Sequence, residues 1–224
     1  MKMNFQWNSI LHLTCRKTKV TNNQMNVFVI TTVSLINLFI LIAYIWMLYQ
    51  KRTKPSLAMW LFFSLAVGMS LITYLKEGDF GFWDNVLNTT DLVLTIAVTI
   101  AIYFMGDKST RFNKFDWWCL GSVSLIILYW FFSQNHIYTN IAIQLILIIA
   151  YIPVINRMIS SKKNTEPFMV WIALSIAPLI SLLTSKGTLA AIYAIRAFVC
   201  TSLLLLLMIR VEWMQRKIKK NSSI

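Results

Sequence analysis

The sequence predicts an all-α polytopic membrane protein, with seven transmembrane helices in two parallel three-helix repeats joined by a linker helix. Three observations predict it. Hydrophobic residues make up 58% of the chain and charged residues 13%, with a mean hydropathy of +0.64, far from the balance of a soluble domain. Seven apolar runs approach the roughly 20 residues that cross about 30 Å of hydrocarbon. One apolar segment is also written twice: LFILIAYIW, 38–46, returns as LILIIAYIP, 145–153.

The runs lie near 27–49, 57–75, 86–105, 117–133, 138–157, 168–184 and 188–209. The fourth and sixth are the short ones. The connections between them read KRTKPS, KEGDFGFWD, GDKSTRFNKFD, SQNH, RMISSKKNTEP and SKGT, too brief for a soluble domain. Pro178, in the middle of the sixth run, is expected to kink it. Residues 1–24 lack the sustained apolar core and small-residue cleavage site of a secretory signal and are kept in the mature protein.

Lys and Arg set the orientation. Lys51, Arg52, Lys54, Lys108, Arg111, Lys114, Arg157, Lys162 and Lys163 fall in the first, third and fifth connections, and Arg210, Arg216, Lys217, Lys219 and Lys220 in the tail. The opposite side has only Lys76, Lys186 and the four basic residues of the N-terminal segment. The positive-inside rule then puts the C-terminus in the cytoplasm and the N-terminus outside, in what is expected to be the cell (inner) membrane. The net charge of +13 is thereby a matter of topology, and no nucleic-acid site is read from it. The parts are an extracytoplasmic segment (1–24), a first bundle (25–110), a linker-helix region (111–136), a second bundle (137–212) and a basic tail (213–224).

The repeat extends beyond the nine opening residues. At an offset of 107, Leu38, Ile42, Ala43, Tyr44 and Ile45 match Leu145, Ile149, Ala150, Tyr151 and Ile152, and amide Asn37 faces amide Gln144. At an offset of 111, Trp60, Ser64, Ser70, Leu71 and Thr73 recur as Trp171, Ser175, Ser181, Leu182 and Thr184, and Thr90 as Thr201. The offset changes inside a loop, where insertions are cheapest. Shared Leu and Ile are weak evidence, since any two membrane helices share them; Tyr, Trp and paired hydroxyls at kept spacing are not. One intervening helix makes the two copies parallel.

This plan resembles the SWEET and PQ-loop transporter superfamily. The local likeness is in YIPVINRMISSKKNTEPFMVW, 151–171: a helix-ending Tyr-x-Pro, a basic residue, a polar loop and a helix with an early Trp. Val154 stands at the family's glutamine and Trp46 at its first proline, so the family's hinge role passes to Pro153 alone. The resemblance implies alternating access between two bundles, with polar and aromatic side chains of both repeats facing a solute. Asn37, Gln144, Trp60 and Trp171 are the positions that match.

Intramembrane charge is expensive, about 2.5–3.5 kcal/mol for a central Asp or Arg on insertion scales, so such residues face an interior or water. Asp91 and Arg196 are the two, on the third and seventh helices, at depths of roughly 9 and 12 Å from the outer side. An ion pair between them is geometrically allowed. Asn85, Asn88, Asp91, Thr95 and Thr99 form a polar stripe on the third helix, and Thr188, Tyr193, Arg196 and Cys200 a weaker one on the seventh. Each also has a plainer reading. Arg196 can snorkel to headgroups, Asp91 can bond locally, the tryptophans suit interfacial anchors, and the repeated Ser and Thr suit helix packing.

Enzyme chemistry is not expected. His12 and His136 form no metal-ligand cluster, no phosphate loop or Ser-His-Asp set can be assembled, and Cys15, Cys119 and Cys200 are isolated. A rhodopsin-like Schiff-base lysine is missing from the seventh helix. The expectation is a transporter of a small polar metabolite without cofactor, using Asn37, Asn88, Asp91, Gln144, Arg196, Trp60 and Trp171, with Pro153 as hinge. Its partners are a solute and the lipid membrane, and a homo-oligomer is compatible with the sequence. An Asp and an Arg in the path favour a charged or zwitterionic solute over a plain sugar. The alternative is a non-transporting receptor or assembly protein of the same fold, served by the basic tail, for which lipid anchoring is the plainer use.

Overall fold

In hydrocarbon no water is present to satisfy backbone N–H and C=O groups, so an apolar chain closes them within helices. A computed structural model describes the backbone of residues 3–52, 57–105, 114–152, 155, 158, 159 and 167–221, and the side chains of those between 23 and 217. Among the described residues there are seven α-helices and no strand. They are α1 Met3–Tyr49, α2 Leu57–Glu77, α3 Val86–Met105, α4 Lys114–Ser133, α5 His136–Ile149, α6 Phe168–Ser181 and α7 Thr188–Asn221, with a 3₁₀ turn, Phe82–Asn85, leading into α3. Five stretches among the described residues are long and apolar enough to cross a membrane: Asn23–Tyr49, Leu57–Glu77, Phe82–Met105, Lys114–Ser133 and Thr188–Lys217. The outer faces fit the same conclusion, for Phe104, Trp118 and Phe132 are 77%, 77% and 82% exposed, an apolar surface suited to lipid rather than water.

Several boundaries differ from those the sequence predicts. The helical backbone of α1 begins at Met3, inside the segment expected to precede the first span, and α7 runs on through the basic tail. The fourth helix is a full 20 residues, while the fifth stops at Ile149 after 14. The reason lies in Pro153. A proline has no N–H to offer the carbonyl four residues back, which in this sequence is that of Ile149. The ladder accordingly tightens, with Tyr151 N donating to Ile148 O at 3.1 Å. Pro153 itself lies outside the described residues, so its expected hinge role is not placed.

Pro178 sits inside α6 and leaves the Leu174 carbonyl without its usual donor. Thr201 of α7 reaches across, its hydroxyl 3.4 Å from that carbonyl and 2.8 Å from Ala197 O in its own helix. A neighbouring hydroxyl thus supports the interrupted ladder, as is common in membrane helices.

The packing is reciprocal. The first helix lies on α6 and α5 lies on α2; α3 packs on α2 and α1, and α7 on α6 and α5. Between these groups α3 touches α7, while α4 leans on α2 and α5. A core cluster including Val33, Phe62, Val86, Val123, Ile143 and Tyr193 draws residues from α1 to α5 and α7. The local bonds repeat as well. Ser64 Oγ donates to Trp60 O at 3.0 Å and Ser175 Oγ to Trp171 O at 2.9 Å, while Thr90 Oγ1 donates to Val86 O and Thr201 Oγ1 to Ala197 O, both at 2.8 Å.

Candidate functional site

The centre of the molecule is a polar seam between the helices. Asn37, one of the matched amides, is buried on α1 at 3% exposure. Its Nδ2 donates to Thr90 Oγ1 at 2.7 Å and to Asp91 Oδ1 at 2.9 Å, both on α3. The second carboxylate oxygen of Asp91 accepts from the Tyr193 hydroxyl of α7 at 2.8 Å. One turn along α7, the Arg196 guanidinium lies over the Tyr193 ring, 4.8 Å from its centroid. Arg196 Nε donates to Gln144 Oε1 of α5 at 2.7 Å, and the guanidinium also meets the Tyr151 hydroxyl.

Gln144, the amide matched to Asn37, carries the seam onward. Its Nε2 donates to Ser70 Oγ of α2 at 2.9 Å and to Asn140 Oδ1 at 3.2 Å. Asn140 Nδ2 donates to Ser70 O and Thr73 Oγ1, each at 2.9 Å. Because Ser70 Oγ already accepts from Gln144, its single proton needs an acceptor, and this orients the Asn88 amide. Ser70 donates to the Asn88 carbonyl at 3.0 Å, and Asn88 Nδ2 donates to Val67 O at 3.2 Å. Asn37, Asn88, Asp91, Gln144 and Arg196 therefore belong to one network crossing from α1 and α3 to α5 and α7.

The direct Asp91–Arg196 ion pair that the sequence allows is not what forms among the described residues. Tyr193 stands between them, bonded to the carboxylate through its hydroxyl and stacked under the guanidinium through its ring. Both charges are half-buried and are met by neutral donors and acceptors, with the aromatic ring as spacer.

Trp60 and Trp171 are placed differently, in an aromatic row toward the end where α1 and α5 finish. Tyr44 and Trp60 lie 4.9 Å apart, Trp60 and Phe63 6.2 Å, Phe63 and Tyr151 6.4 Å, and Tyr151 and Trp171 6.2 Å. The row bridges both matched Tyr-Trp pairs, and Tyr151 connects it to Arg196.

The opposite end of the seam is clasped by two turns. Lys186 Nζ lies 2.6 Å from Asp84 Oδ1, Lys186 N donates to Asp84 O at 3.0 Å, and the Tyr74 hydroxyl donates to Lys186 O at 3.0 Å. Phe80 stacks on Tyr74 at 4.9 Å and closes over Gly187. At φ +79°, with a Cβ that would come within 2.7 Å of Phe80 Cζ, that position needs glycine.

Reading the sequence missed Asn140, Tyr151 and the Asp84–Lys186 clasp as members of the site. One signal was available: Asn140 precedes Gln144 by four residues, which puts two amides on one face of α5. No family model, curated protein or solved structure matches this chain.

Proposed function

We propose that this chain is a membrane transporter of a small polar solute, working by alternating access between two parallel three-helix groups, α1–α3 and α5–α7, joined by α4. In this reading α5 and α6, at 14 residues each, also cross the bilayer, extended by the residues next to them. The clasp faces outside, and the basic ends of α1, α3, α5 and α7 face the cytoplasm. The observation that carries the reading is the network from buried Asn37 through half-buried Asp91, buried Tyr193 and half-buried Arg196 to buried Gln144 and Ser70. Polar groups at such depth are costly unless they serve a path, and these lie where the two groups meet.

The reciprocal contacts of α1 with α6 and of α5 with α2 support the twofold plan. So does the recurrence of the Tyr-Trp pairs and of the Ser and Thr back-bonds at the sequence offsets. With the clasp at one end and the aromatic row at the other, the seam is bounded on both sides, as an occluded transporter requires. Opening at one end while the other stays shut is then a rocking of one group against the other.

Flux of labelled metabolites into vesicles containing the purified chain tests the proposal. Uptake above protein-free vesicles for at least one small polar solute, lowered at least tenfold by Asp91→Asn or Arg196→Gln, is the expected result. Wild-type uptake in both variants would reassign the network to structure.

A further inference from the structure

The distribution of unpartnered atoms in the seam narrows the chemistry of the solute. Thr90 Oγ1 gives its only proton to Val86 O at 2.8 Å, so toward Asn37 it can only accept. Asp91 Oδ1 also accepts from the Asn37 Nδ2. The amide is thereby fixed with its NH₂ on these two oxygens and its carbonyl turned away. That carbonyl oxygen, Asn37 Oδ1, is buried and has no hydrogen-bond partner among the described residues.

The matched positions in the second copy explain why. There Gln144 is helped by Asn140, four residues earlier, which also bonds Thr73 of α2. At the equivalent offset of 107 the first copy has Val33, fully buried and apolar. Thr184, the mate of Thr73, accordingly keeps a buried hydroxyl with no partner among the described residues. The α2–α5 contact is saturated and the α1–α6 contact is not, and a buried polar atom left unpaired calls for a physical explanation.

Two opposite demands remain in the seam. Around Asp91, a carboxylate with capacity for further bonds and the Asn37 carbonyl both want a donor. Across the Tyr193 spacer, Arg196 has committed Nε to Gln144, and its terminal nitrogens lie near Tyr151. No carboxylate pairs with it among the described residues, and a planar guanidinium is suited to take one in a fork.

We infer that the solute is a small zwitterion, with its cationic N–H group meeting Asp91 and the Asn37 carbonyl and its carboxylate meeting Arg196. This rests on the transport reading above. A plain sugar leaves both charges uncompensated, and a solute of one charge adds net charge to a low-dielectric seam. A zwitterion answers both at no net charge.

The test is uptake of labelled L-glutamine, glucose, choline and gluconate by vesicles containing the full chain. Glutamine uptake is expected to exceed that of the other three at least tenfold. Arg196→Gln and Asp91→Asn are expected to abolish the preference, and Arg196→Lys, which keeps the charge, to retain it at a reduced rate. Thermal unfolding checks that each variant folds. Should the Gln and Asn variants not fold, loss of the preference in a folded Arg196→Lys would still overturn the inference. Glucose carried in place of glutamine would overturn the zwitterion and leave transport standing. Silence across these four and a broad metabolite panel would overturn both.

Discussion

Ser70 is the residue on which the seam converges. Its hydroxyl accepts from Gln144 at 2.9 Å, donates to Asn88 at 3.0 Å, and its carbonyl accepts from Asn140 at 2.9 Å. Removing the hydroxyl takes one of two partners from the Gln144 Nε2 donor and one of two from the Asn88 carbonyl. Interhelical hydrogen bonds in membranes average about 0.6 kcal/mol and reach about 1.7, so Ser70→Ala is expected to destabilise the protein by about 1–2 kcal/mol, read as a shift in its unfolding midpoint in mixed detergent. Ser181→Ala, at the matched position, is expected to cost less, because among the described residues Ser181 Oγ bonds only Pro178 O of its own helix, at 2.8 Å. Equal losses at the two positions would mean that the hydroxyl of Ser70 does nothing a packing serine does not. Ser70 could be read from the repeat as a packing position, but its three partners could not, because they come from α3 and α5.

The clasp belongs to the scale of elements, since it joins the turn before α3 to the turn before α7. An ion pair with side chains 58% and 23% exposed contributes about 0–1 kcal/mol at most, so Lys186→Ala should barely move the unfolding midpoint. Its expected effect is on access. Cys200 lies one turn beyond Arg196 on α7 and is half-buried, whereas Cys119 is buried. In a Cys15→Ser background, Lys186→Ala is expected to speed labelling of Cys200 severalfold by a membrane-impermeant thiol reagent added from the clasp side. An unchanged rate would show that the turns do not bar the path. The helices themselves were largely legible, α3 from Val86 to Met105 as predicted, because apolar runs and polar loops report the bilayer directly. The end of α5 was not, because the run stays apolar past Ile149 and hydropathy does not register the N–H that a proline four residues on fails to supply.

For the molecule as a whole, the proposed rocking requires the two groups to separate at the clasp. A short bis-maleimide joining cysteines introduced as Asp84→Cys and Lys186→Cys is expected to stop flux, while the same double variant without linker keeps it. Undiminished flux in the linked protein would argue that α1–α3 and α5–α7 do not move apart there. Composition, hydropathy and the loop charges determined by themselves that the chain is built of apolar helices suited to a bilayer, since each of these reports the solvent around a segment and needs no partner. The matched residues at offsets of 107 and 111 also named Asn37, Gln144, Trp60 and Trp171 as positions to compare. What only the tertiary structure decided was who meets whom. Tyr193 parts Asp91 from Arg196, Asn140 completes one side of the seam and Val33 leaves the other short, because hydrogen bonds between helices depend on azimuth and depth to within a fraction of an ångström. A linear pattern carries the face of each helix, and only the packed bundle sets one face against another.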